Sequence, residues 1–171
     1  MKKIQLLLAI IIVSLVASIA FAQTERPEWQ SYELVNAKTG ETFSLGGFED
    51  KIVFVEPMAT WCSNCRAQLK NVAKAQAKST DDVVFVALSL EGNIADEKLA
   101  AYAQKEGFEM IFAKTSQKLL EELINLYGRG VSSPPSTPHF IIAPDGSTTE
   151  MKLGREAADI LLAQIDAVRS K

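Results

Sequence analysis

The sequence holds only two cysteines, and they stand two residues apart in Trp61-Cys62-Ser63-Asn64-Cys65-Arg66. Thiols at this spacing suit reversible exchange, in which one attacks a foreign disulfide and the other resolves the mixed disulfide. A structural staple is a poor use of the pair, since closing so short a loop contributes only about 2 kcal/mol in the chain-entropy picture. Structural zinc needs four ligands, and covalent haem needs a histidine directly after the second cysteine, where Arg66 stands. His139 is the sole histidine. Together with Cys62 and Cys65 it gives a ligand set suited to copper, because thiolates favour Cu(I) and imidazole favours copper generally. Copper handling is therefore the alternative to catalysis, and an interaction domain retaining an old disulfide is a third reading. The dithiol chemistry itself requires no cofactor.

These residues need elements to hold them. Ile52-Val53-Phe54-Val55 is an unbroken β-branched and aromatic run that reads as a buried central strand. Leu69, Val72, Ala73 and Gln76 recur at helical spacing, predicting a helix from 62 to about 78 whose first turn carries both thiols. Unpaired N–H groups and the positive helix end there favour thiolate, which makes Cys62 the attacking group and Cys65 the resolving one. Before this unit, Tyr32, Leu34, Phe43 and Leu45 alternate around Gly40 as a hairpin. After it come a strand at 83–88, a helix presenting Ala95, Leu99, Tyr102 and Ala103, and a short strand at 110–112. A helix with Leu119, Leu123 and Tyr127 follows. A proline-rich loop at 134–138 leads to a strand at 140–143, a Pro144-Asp145-Gly146 turn, a return strand through Thr149, Met151 and Leu153, and a closing helix with Ala158, Leu161, Ile165 and Val168 inward. This order predicts an α/β domain with a central mixed sheet flanked by helices.

Residues 1–22 form a separate unit. Lys2 and Lys3 precede an apolar run from Ile4 to Phe21, and Ala20-Phe21-Ala22 forms a small-residue cleavage pattern, so the segment reads as an export signal cut after Ala22, with an N-terminal membrane anchor as the alternative. Residues 23–31 read as an extended lead-in and 32–171 as the domain. Export places the thiols where disulfides form. The net charge of −3, more negative once the two lysines are removed, argues against a nucleic-acid partner.

Ala59-Thr60-Trp61-Cys62-Ser63-Asn64-Cys65-Arg66, the strand before it, and Thr137-Pro138 before Phe140-Ile141-Ile142-Ala143-Pro144-Asp145-Gly146 resemble the thioredoxin superfamily, and more closely its exported TlpA/ResA-like branch. The resemblance covers roughly residues 30–170. The N-terminal hairpin and the additional helix and strand within 91–115 are similar to that branch. It implies a thioredoxin-like fold and an exported thiol-disulfide oxidoreductase acting on protein disulfides with electrons from a membrane donor. It also implies that Pro138 is cis against the cysteines, with Thr137 offering its backbone to an incoming peptide; Pro134 and Pro135 compete for the proline role. Trp61 and Arg66 belong to the same motif. Peroxidase chemistry of the peroxiredoxin type expects threonine and cysteine four and seven residues after a proline, whereas Trp61 and Asn64 stand at those offsets from Pro57.

Glu56 occupies the place where the thioredoxin pattern has a buried aspartate. Desolvated there, it would exchange a proton with Cys65; reaching past the strand end, it would be an ordinary solvated carboxylate. Many members of the TlpA/ResA-like branch carry a neutral residue at this point, so Glu56 weakens assignment to cytochrome maturation. No charge lies between the cysteines, which points to a reductant. Sequence alone gives Glu91, in the loop after the second strand, no role.

Overall fold

The computed structural model describes residues 26–170. Residues 1–22, which read in sequence as an export signal, and the first residues of the lead-in lie outside the described residues. Six strands and four α-helices make up the rest: β1 (Leu34–Val35), β2 (Thr42–Phe43), β3 (Ile52–Met58), α1 (Ser63–Gln76), β4 (Val83–Ser89), α2 (Asp96–Glu106), β5 (Ile111–Lys114), α3 (Gln117–Tyr127), β6 (Phe140–Ile142) and α4 (Ala158–Arg169). The main sheet runs β5-β4-β3-β6. β3 is parallel to β4 and antiparallel to β6, and β4 is parallel to β5, so the sheet is mixed as expected. The β1–β2 hairpin turns at Gly40, whose φ of +75° suits a residue without a Cβ. It docks on the β5 edge through Ala37 N–H donating to the Phe112 carbonyl at 2.8 Å.

Strand alternation divides the core. Ile52, Phe54 and Met58 pack with Cys65, Leu69 and Val72 of α1, Leu99 of α2, and Leu161 and Ile165 of α4. Val53 and Val55 pack on the other face with Leu119 and Leu123 of α3, Trp29 and Phe140. Pro57 is tolerated in a central strand because β6 pairs only with residues 53–55 of β3, so no ladder bond on that side is lost.

Two segments differ from the sequence expectation. Residues 28–31 are not extended: they form a 3-10 turn that buries Trp29 and Gln30. Trp29 meets Phe140 edge-on at 6.3 Å, and the Gln30 amide donates to the Gly146 carbonyl at 2.7 Å, which ties the lead-in to the domain. The return segment after Gly146 pairs with β6 and its flank only at isolated bridges, His139 with Lys152 and Ile142 with Thr148. There the Thr149 hydroxyl accepts from Ile141 N–H at 3.0 Å, taking a ladder position that a backbone carbonyl would otherwise fill. No helix among the described residues is long and apolar enough to cross a membrane.

Leu69, fully buried one turn after Cys65, locks α1 onto the sheet. Leu69→Ala is expected to lower unfolding free energy by about 2–5 kcal/mol, measured by urea denaturation; a loss within about 0.5 kcal/mol would contradict this packing.

Candidate active site

β3 delivers the chain to Ala59-Thr60-Trp61, and α1 begins immediately afterward with Cys62 as its N-cap. The Cys62 sulfur accepts from the Cys65 backbone N–H at 3.0 Å, one of the donors that a helix start leaves without a backbone partner. Cys62 and Cys65 are joined in a disulfide with Cα atoms 5.3 Å apart. Cys62 retains 3% exposure and Cys65 none, so the first sulfur is the one a partner can approach. The Pro134 carbonyl lies 3.0 Å from Cys65 Sγ. Once reduced, Cys65 has an acceptor there that favours its protonated form. The pair thus separates into an outer sulfur facing helix-end donors and an inner sulfur facing a carbonyl.

The resemblance's expectation for Pro138 is corrected. No peptide bond among the described residues is cis, including Thr137–Pro138. Thr137 instead closes a 3-10 turn over Pro134–Ser136 with φ +46° and ψ +58°, a left-handed conformation that is rare for a β-branched residue. Its backbone is not offered to a peptide. The amide donates to the Pro134 carbonyl at 2.9 Å, the carbonyl faces His139 Nδ1 at 3.2 Å, and the residue is 1% exposed. The prolines that meet the thiol turn are Pro134, through its carbonyl, and Pro135, whose carbonyl accepts from the Asn64 side chain at 3.1 Å. Pro135 walls a small notch with Trp61, Cys62, Ser63 and Asn64.

His139 does not join the thiols. It is fully buried, stacked on Phe54 with ring centroids 5.5 Å apart, and its Nε2 lies 2.9 Å from the Glu156 carboxylate. Glu156 also accepts from Gln164, and its amide donates to Gln68. Both ring nitrogens are engaged, and among the described residues no three His, Cys, Asp or Glu side chains are grouped to hold an ion. The copper ligand set is therefore not assembled. Arg66 also points away from the sulfurs, pairing at 3.6 Å with Glu106 of α2, which Lys70 reaches at 3.8 Å. Trp61 stands open at 67% exposure.

Glu56 is buried to 1% exposure, which removes the solvated reading. By alternation it shares the face of Phe54 and Met58, the face that carries Cys65. Neither carboxyl oxygen has a hydrogen-bond partner, and burial pushes its proton affinity well above the ordinary carboxylate range. Glu91 was unassigned by sequence, yet it anchors the thiol loop. Its carboxylate accepts from Thr60 N–H at 2.6 Å and from the Thr60 hydroxyl at 3.0 Å, with the Ser89 hydroxyl at 3.3 Å. The one sequence signal is its place just past the end of β4, beside β3, where loops from adjacent parallel strands meet.

No family model matches the chain. A stretch of 77 residues, 42% of the chain, is 32% identical to the thioredoxin-like 2-2 protein of Arabidopsis thaliana chloroplasts, and it spans about a third of that protein's length, 32%. The structure superposes on a thioredoxin-family thiol:disulfide interchange protein of Chlorobium tepidum with a TM-score of 0.70 and 18% identity, over 81% of this chain and 93% of the other. It also matches a secreted Mycobacterium tuberculosis disulfide oxidoreductase homologous to E. coli DsbE, with a TM-score of 0.64 and 15% identity, over 82% and 98% of the two chains.

Two measurements check the site. A native carboxyl with raised proton affinity leaves stability untouched while both states are protonated. Stability then falls as pH rises, because the unfolded state ionises first. Glu56→Gln should therefore stabilise the protein increasingly above about pH 5, by at most about 1.4 kcal/mol per pH unit; a difference in melting temperature that does not vary with pH would count against the assignment. Glu91→Ala, which orphans the Thr60 amide, should cost about 1–3 kcal/mol in urea unfolding, and no loss would show that the loop does not need it. Sheet order, thiol helix and superpositions together establish that the chain has a thioredoxin-like fold.

Proposed function

We propose that the protein is an exported thiol-disulfide oxidoreductase that reduces protein disulfides. The observation that carries this reading is the Cys65 amide aimed at Cys62 Sγ at the helix start, which stabilises a thiolate on the one sulfur a substrate can reach. In the reduced protein the Cys62 thiolate attacks a substrate disulfide. A Cys62–substrate S–S bond forms, the substrate bond breaks, and the expelled sulfur takes a proton from solvent. Cys65 then passes its proton to the Glu56 carboxylate, whose proton affinity burial raises, and attacks Cys62 Sγ. The second substrate sulfur leaves and is protonated from solvent, to which Glu56 returns the proton it took. The substrate has gained two electrons and two protons, and the protein is left with the Cys62–Cys65 disulfide. A dithiol donor at the membrane would restore it.

Ser63 and Asn64 bring no charge to stabilise a reduced thiolate, which supports a reducing potential. Export is supported by the signal-like residues 1–22 and by the secreted neighbour. The buried Glu56 argues against cytochrome maturation as the specific task.

With dithiothreitol as donor, the protein should accelerate insulin reduction and Cys62→Ser should abolish the effect, while Cys65→Ser should accumulate covalent mixed disulfides. A wild-type rate equal to that of dithiothreitol alone would overturn the assignment. The potential should lie below about −180 mV, that of protein disulfide isomerase. Glu56→Gln should slow turnover at neutral pH, and an unchanged pH–rate profile would remove Glu56 from the proton route.

A further inference from the structure

A groove of about 730 Å³ lies on the side of the thiol turn away from the proline loop. Trp61 is its wall on the thiol side and is shared with the notch that holds Cys62. The far wall is one face of α2, where Lys98, Ala101, Tyr102 and Lys105 recur at three- and four-residue spacing, and Ile94 and Glu91 complete it. A polypeptide whose disulfide meets Cys62 has only to continue past the Trp61 ring to enter this space.

The charge available there is positive. Lys98 and Lys105 are exposed, and neither makes an ion pair among the described residues. Against these two cations the lining holds one carboxylate, Glu91, whose oxygens are turned to Thr60. Glu106, at the end of α2, takes Arg66 and Lys70. Between the two lysines, Ala101 keeps the wall low and Tyr102 adds an aromatic surface, while Trp61 offers a second, 67% exposed. Two unpaired cations flanking aromatic surface suit an extended segment with carboxylates at its edges and apolar side chains between them.

We propose that this groove is a substrate-recognition subsite that takes an acidic polypeptide segment adjoining the disulfide attacked by Cys62, with Lys98 and Lys105 reading its carboxylates. The inference rests on the oxidoreductase reading for its purpose, but its binding chemistry can be tested apart from redox chemistry.

In Cys62→Ser/Cys65→Ser protein, fluorescence anisotropy of a fluorescein-labelled Asp-Ala repeat peptide should report binding tighter than that of its Lys-Ala counterpart. Lys98→Glu/Lys105→Glu should weaken the acidic peptide by about five-fold or more and favour the basic one, and Lys98→Gln/Lys105→Gln should fall between. Lys51→Glu, before β3 at the opposite end of the sheet, should change nothing. The preference should vanish in 1 M salt, where screening acts within about 3 Å. Equal affinity for the two peptides, or a preference untouched by charge reversal, would overturn the subsite. In the cysteine-intact protein, exchange with disulfide-linked forms of the same peptides should follow the same order in kcat/KM. Exchange with neither form would sink the oxidoreductase reading and leave the anisotropy measurement to decide the groove.

Discussion

Cys62 can cap α1 with its sulfur only if the chain leaves β3, turns within a few residues, and starts a helix whose first amides face back along the turn. Much of the structure serves that requirement. β3 lies between β4 and β6, and its last residues, Glu56 to Met58, are held by their pairing with β4. Glu91 leaves the end of β4 and grips Thr60 through both amide and hydroxyl, fixing the residue two before the cysteine. Behind the helix, Leu69 and Val72 seat α1 on the sheet. The amide-to-sulfur contact follows from packing at one end and a carboxylate clamp at the other.

The same architecture explains why the two sulfurs differ though they are three residues apart. A helix start exposes N–H groups at its tip and turns inward over the next residues. Cys62 therefore sits among donors at the surface, and Cys65 sits one turn deeper against the Pro134 carbonyl. Donors favour a charged sulfur and a carbonyl favours a protonated one, so helix start and proline loop give the two sulfurs different surroundings without a charged side chain between the cysteines. The proline loop that supplies the carbonyl is held from behind by His139, which links the Thr137 carbonyl to Glu156. The histidine that looked like a metal ligand is a brace for the loop instead.

What the sequence disclosed was periodic. The unbroken β3 run matches a strand buried throughout, and the inward stripe Ala158, Leu161, Ile165 and Val168 matches the buried face of α4, because a helical period of 3.6 is imposed by backbone geometry. The cysteine pair was legible for a different reason: its spacing has few other uses. The Glu91–Thr60 clamp, the His139–Glu156 pair and the Thr149 hydroxyl in the β6 ladder join residues far apart in sequence and leave no periodic trace. The trans Thr137–Pro138 bond was likewise out of reach, since isomer state follows from tertiary contacts, here a 3-10 turn that commits both backbone groups of Thr137.

Glu56 shows how stability and chemistry are set against each other. A carboxyl with no hydrogen bond to either oxygen, sealed beneath a thiol helix, is a cost that replacement by an apolar residue would remove. Burial raises its proton affinity, which favours the uncharged acid over an isolated anion in the core. The acid form is compatible with a packed interior, and in the proposed route it is the carboxylate form that takes the proton of Cys65 and later returns it. Solvent exposure would relieve the cost, but it would remove the burial that raises the proton affinity and admit water to the inner sulfur. The position on β3 satisfies both demands, since alternation places Glu56 on the face of Cys65 while the neighbouring strands exclude solvent from the sides.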